Sequence, residues 1–158
     1  MKKLMLTSLF AILISGCNNV NPKEIPNEVI VIVELIKNKE KSQEELREFT
    51  KRYSDYVKST ESNTLGWTYH DAGDKIILIE RYKNEDANIV TAKNISPGGN
   101  RYKLLQESFN YHTLGKVTVI GGFTQKLIDF NKMTAEKVGF TAPFVYYPLI
   151  SGYSKNLR

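Results

Sequence analysis

Five consecutive β-branched residues, Val29-Ile30-Val31-Ile32-Val33, constrain this chain more than any other stretch. A half-exposed strand alternates apolar and polar positions, whereas an unbroken Val/Ile run has no face to give to water. The run therefore predicts a strand covered on both faces, at the centre of its sheet. A central strand needs a hydrogen-bonded neighbour on each side and a layer above and below, and the rest of the chain has to supply them.

Downstream, Ser42 and Glu45 form a Ser-x-x-Glu capping box that starts a helix. Leu46, Phe49, Tyr53, Tyr56 and Val57 follow at helical spacing as one apolar stripe, with Glu44, Glu48, Lys51 and Lys58 opposite. Two β-rich runs, Leu65 to His70 and Lys75 to Tyr82, are joined by Asp71-Ala72-Gly73-Asp74, where Gly73 supplies the positive φ of a tight hairpin turn. A short helix begins near Asn84, residues 95–100 (ISPGGN) break it, and Tyr102, Leu105 and Phe109 predict a second helix up to about Tyr111. A strand at Lys116 to Ile120 ends at Gly121-Gly122, and a helix spans Thr124 to Met133. Pro143 and Pro148 then rule out a helix and predict an extended closing segment. The order β-α-β-β-α-β is the ferredoxin-like α+β arrangement with an antiparallel sheet. Its helices cover one sheet face, and the economical cover for the other is a second copy of the chain, so a homodimer is expected.

The first residues are read separately. Lys2 and Lys3 precede an apolar stretch, Leu4 to Ile14, of about eleven residues, which suits a signal peptide (1–16) and falls short of the roughly 20 residues of a membrane span. Leu13 to Cys17 (LISGC) resembles the bacterial lipobox, in which the cysteine is lipidated and becomes the mature N-terminus. Cys17 is the sole cysteine of the chain, so the domain has no disulfide and must be stable through its core. Residues 17–27, with two prolines and several asparagines, read as the lipidated cysteine and a tether reaching at most about 35 Å, which leaves 28–158 as the domain. The expected location is the bacterial cell envelope, lipid-anchored, with Asn18 favouring the outer membrane where there is one. Losing Lys2 and Lys3 with the leader takes the net charge from +5 to +3. The remaining lysines are interleaved with acids, which argues against a nucleic-acid partner.

Residues 64–87 (TLGWTYHDAGDKIILIERYKNEDA) resemble the signature of the antibiotic biosynthesis monooxygenase (ABM) family: a glycine-aromatic strand, an acidic turn, an aliphatic strand ending in glutamate and an aromatic, then an acidic helix start. Residues 140–154 (FTAPFVYYPLISGYS) are similar to the tail of a long subgroup, so the resemblance covers roughly 28 to 153. It implies a dimeric α/β barrel with a pocket between sheet and helices in each subunit. It further implies either cofactor-free oxygenation of phenols and quinols or heme degradation, and the family also has members without an established activity. The heme degraders use an Asn, a Trp and a His on the first strand and second helix. Here Asn27 precedes the strand and the helix from Asn84 to Asn94 has neither aromatic, so heme is not expected.

Alternation along the hairpin puts Trp67 and Tyr69 on one face and Thr68 and His70 on the other. Trp67 reads as a core or interface aromatic, or as an indole that stacks on a bound ring and donates its N–H to a ring oxygen. Glu80 shares a face with Ile76, Leu78 and Tyr82, so it is held in a structural ion pair or polarises a phenolic O–H. Trp67, Glu80, Tyr69 and Tyr82 are the candidate catalytic residues. His70 reads as an exposed turn residue and His112, just past a helix, as capping or solvating that helix's C-terminus. Two histidines far apart and one cysteine give no metal site, ISPGGN lacks the lysine of a phosphate loop, and no cofactor motif appears. Two function classes follow. One is a lipid-anchored, cofactor-independent monooxygenase of small aromatic or quinol substrates. The other is a non-catalytic lipoprotein that binds a small apolar ligand or a protein partner.

Overall fold

Val29–Lys37 (β1) occupies the middle of a five-stranded sheet, as its unbroken apolar run requires. The computed structural model describes residues 27–152, so the signal peptide, Cys17 and the tether up to residue 26 lie outside the described residues. The sheet order is β2-β3-β1-β4-β5, with β2 at Thr64–Ala72, β3 at Lys75–Tyr82, β4 at His112–Gly121 and β5 at Phe144–Pro148. The first four strands pair antiparallel in the ferredoxin-like order, and β5 adds to the edge parallel to β4, with Val117 opposite Phe144. The closing segment read as extended is thus a fifth strand whose ladder is bounded by its two prolines.

Helix α1 (Gln43–Thr60) starts at the capping box: the Ser42 side chain accepts from the Glu45 amide, and Glu45 accepts from the Ser42 amide. Such a cap contributes about 1 kcal/mol. Leu46, Phe49, Tyr53 and Val57 of the apolar stripe are buried, each contributing roughly 1.5–3 kcal/mol. Helices α2 (Glu85–Lys93), α3 (Tyr102–Ser108) and α4 (Gln125–Val138) lie on the same sheet face as α1, with α2 packed on α4. Two helix ends differ from the sequence expectation. α3 stops at Ser108, three residues short of Tyr111, because the chain is already turning into β4. α4 continues past Met133 to Val138, where Gly139 takes the left-handed cap (φ 76).

β4 begins four residues before Lys116. A β-bulge lies opposite Val33 and Leu35, whose partners Val117 and Leu114 are three residues apart on β4. The extra residue inverts the alternation, so Leu114 and His112 face the helices together with Val117 and Val119. On the opposite face Ile30, Ile32, Ile77, Ile79 and Ile120 are half-buried, and Glu34 is held by Lys75 (2.8 Å) and Lys116 (3.0 Å). No helix among the described residues lies on that face, and none is long and apolar enough to cross a membrane.

Candidate functional site

The helix-facing side of the sheet does not close completely on the helices. Val31, Val33, Leu78, Val117 and Phe144 floor a cavity of about 130 Å³, roofed by Tyr53 of α1, Ala92 of α2, Leu105 of α3 and Thr134 of α4. An apolar cavity of roughly 150 Å³ accommodates benzene, so the space suits one small ring.

Polar groups enter this apolar shell at the β2–β3 end. The hairpin register sets Trp67 directly opposite Glu80, and Tyr69 opposite Leu78, so the indole and the carboxyl project side by side from Cβ atoms about 4.5–5.5 Å apart. Glu80 also lies beside Val31 of β1, is half-buried, and lines the cavity. Burial pushes its carboxyl up to about 7, against a hydrogen bond from the Tyr82 hydroxyl to Oε2 at 2.5 Å that acts the other way. No cation forms a salt bridge with Glu80 among the described residues, so the ion-pair alternative does not hold. Burial likewise raises the phenols: Tyr53 to about 12, with Tyr69 and Tyr82 held well above the usual range. All three stay neutral phenols, which leaves Glu80 as the group able to take a proton near neutral pH.

Trp67, Glu80, Tyr69 and Tyr82 all line the cavity, as alternation along the hairpin predicts. His70 is on the far side, where its Nε2 lies 3.0 Å from Thr68 Oγ1. His112 corrects the sequence reading. It is not a solvated helix end but the first residue of β4, 5% exposed, edge-on to Phe49 and lining the cavity. Burial lowers its imidazole to about 4, so it is neutral at physiological pH, and its Nδ1 has no hydrogen-bond partner among the described residues.

No protein-family model matches the chain, and no curated protein matches it in sequence. Among solved structures, MupZ from Pseudomonas fluorescens matches over 82% of this chain and 95% of its own, with a TM-score of 0.56 and 16% identity. Rv0793 from Mycobacterium tuberculosis matches over 58% of this chain and 91% of its own, with a TM-score of 0.45 and 19% identity. What is shared with MupZ is the fold. The chain has a ferredoxin-like α+β fold.

Several residues of the site are invisible to strand periodicity. Arg101, in the turn before α3, is 2% exposed and lines the cavity, its guanidinium carbon 5.1 Å from the Trp67 ring centre and 5.8 Å from that of Tyr53. Those two rings are stacked, 5.9 Å apart and 12° from parallel. Asn88 of α2 and Asn131 of α4 are buried polar residues lining the same space. Polar residues on otherwise apolar helix faces are the one sequence signal that would have found them. Among the described residues no group of three His, Cys, Asp or Glu is placed to hold a metal.

Proposed function

We propose that this protein is an ABM-like, cofactor-independent monooxygenase of small phenolic or quinol substrates. The observation that carries the reading is the Trp67–Glu80 pair: a buried indole N–H without an acceptor among the described residues, directly across the strands from a buried carboxyl lifted to about 7. A phenolic O–H between them would give its proton to Glu80, and the oxyanion left behind would accept from Trp67 Nε1. Both groups are preorganised in an apolar enclosure where such interactions are strongest. Tyr82, donating to Glu80, keeps the carboxylate aimed.

The redox chemistry belongs to the substrate. A deprotonated quinol is electron-rich enough to reduce dioxygen itself: quinol and O2 give a hydroxyquinone and water, one oxygen atom entering the ring and the other leaving as water. The ring supplies all four electrons, so no external reductant is required.

Two further parts of the proposal come from elsewhere on the chain. The apolar sheet face of Ile30, Ile32, Ile77, Ile79 and Ile120 is the surface on which a second copy would pack, making a homodimer. The lipobox-like LISGC sequence supports lipidation of Cys17 and residence at the bacterial envelope.

The test is oxygen uptake by the purified protein with a panel of one-ring and two-ring quinols, corrected for autoxidation, beside Glu80→Gln. Saturable uptake whose kcat/KM rises as pH passes through about 7, the range in which Glu80 ionises, and which Glu80→Gln abolishes, would bear the reading out. Saturable binding of the same quinols without uptake would make the protein a binding module.

A further inference from the structure

Arg101 is more deeply buried than its partners account for. Its Nη2 donates to the Thr91 carbonyl (3.2 Å), while Nε and Nη1 have no hydrogen-bond partner among the described residues. Glu61 is its counter-ion, with Oε1 3.3 Å from Nη1 but outside hydrogen-bond geometry. The Glu61 carboxylate is already engaged by Asn94 Nδ2 (2.9 and 3.1 Å) and Thr91 Oγ1 (3.3 Å), and it sits at the C-terminal cap of α1. Arg101 is therefore a fixed cation with unused N–H donors, and a buried charged donor without an acceptor is costly. It is not a surplus core residue either, since it borders the cavity and rests against the Trp67 and Tyr53 rings. A guanidinium beside an aromatic pair, in a space of about 130 Å³ that takes one ring, is the complement of a ring that carries an acid group.

We infer that the cavity selects hydroxy-aromatic carboxylates, the acid group of the guest accepting hydrogen bonds from Arg101 Nε and Nη1 while its phenolic hydroxyl meets Trp67 and Glu80. This rests on the proposed oxygenase reading for the phenolic end and adds the substrate class. Arg101 is then a binding residue that fixes which end of the ring faces Glu80. The neighbouring charges are few: Glu61 balances the guanidinium, and when Glu80 takes up the phenolic proton its negative charge passes to the phenolic oxygen, which accepts from Trp67 Nε1 at the end of the ring away from the acid group.

The test compares two one-ring probes of equal size, 4-hydroxybenzoate and 4-hydroxybenzamide, by calorimetric titration of the purified protein at pH 7. Quenching of Trp67, the single tryptophan of the chain, gives an independent signal of occupancy. The expected result is that the acid binds about ten- to a hundredfold more tightly than the amide, the gain typical of a charge-assisted hydrogen-bonded pair. The preference should fall to about one in the double variant Glu61→Gln/Arg101→Gln, which removes both buried charges together and leaves no orphaned carboxylate. A cooperative thermal unfolding transition in that variant shows that it is folded. The wild-type comparison stands by itself if the double variant does not fold. Equal affinities for acid and amide would overturn the carboxylate assignment while leaving the phenol-binding cavity in place. Failure of both probes to bind or quench would overturn the assignment together with the aromatic-pocket reading.

Discussion

Replacing Glu80 with glutamine tests the site through stability, independently of any substrate. Burial raises the Glu80 carboxyl from 4.5 to about 7, so the native state holds this proton more tightly than the unfolded chain does. A group of this kind supports folding most fully below about 4.5. Its contribution declines as pH rises from 4.5 to 7, and above 7 the full cost of a buried, unpaired carboxylate is carried. A difference of some 2.5 units at about 1.4 kcal/mol each amounts to about 3 kcal/mol. Glutamine keeps the shape and an oxygen that can accept from Tyr82, and it carries no charge. Glu80→Gln is therefore expected to be more stable than wild type by up to about 3 kcal/mol at pH 8, which is a rise in Tm of about 5 to 15 °C for a domain of this size. At pH 5 the two should lie within about 1 kcal/mol of each other. His112 works in the opposite sense, since its imidazole, held down to about 4, stabilises above 6.5 and loses that contribution as pH falls towards 4. It is common to both proteins and cancels in the difference. Thermal unfolding followed by circular dichroism from pH 5 to 8 measures the effect. A gap that does not change with pH, or a variant less stable than wild type at pH 8, would refute the buried-carboxylate account of Glu80.

Trp67→Phe retains a ring on the sheet and deletes the N–H, so kcat for quinol oxidation should fall by about a hundredfold, with a smaller change in KM, as read from oxygen-uptake kinetics. Ile79→Glu places a charge at the middle of the uncovered sheet face, beside Ile32 and Thr68, and should convert a dimer to a folded monomer in light scattering coupled to size exclusion. An unchanged dimer would mean that the copies meet elsewhere. Cys17→Ala should move the protein from the membrane fraction to the soluble fraction of cells and abolish incorporation of a labelled fatty acid; unchanged fractionation and labelling would rule out the anchor.

The parts of the fold that were legible in sequence are those fixed by short-range rules. The Val29–Val33 run, the Ser42/Glu45 box and the Gly73 turn (φ 79) each signal their structure within a few residues, and β1, α1 and the β2–β3 hairpin follow from them. The alternation that puts Trp67 and Tyr69 inside, and Glu80 with Ile76, Leu78 and Tyr82, is equally local. What sequence missed depends on partners far along the chain. The first half of β4 breaks the two-residue period at the bulge, so His112 and Leu114 look out of phase with Val117 and Val119 although all four face the same way. β5 becomes a strand only because β4 offers it an edge. Arg101 joins the site through Glu61, Tyr53 and Trp67, none of them within thirty residues of it, and nothing in the turn that carries it announces a buried cation.

The position of β5 also sets an order in time. Phe144 belongs to the last strand of the described chain, yet it is part of the cavity floor, so that floor cannot be completed until nearly all of the described chain has been synthesised. Until Phe144 pairs with Val117, the cavity floor stays open along the edge of β4. Closure of the cavity thus comes late in assembly, when the rest of the core is already available to support it.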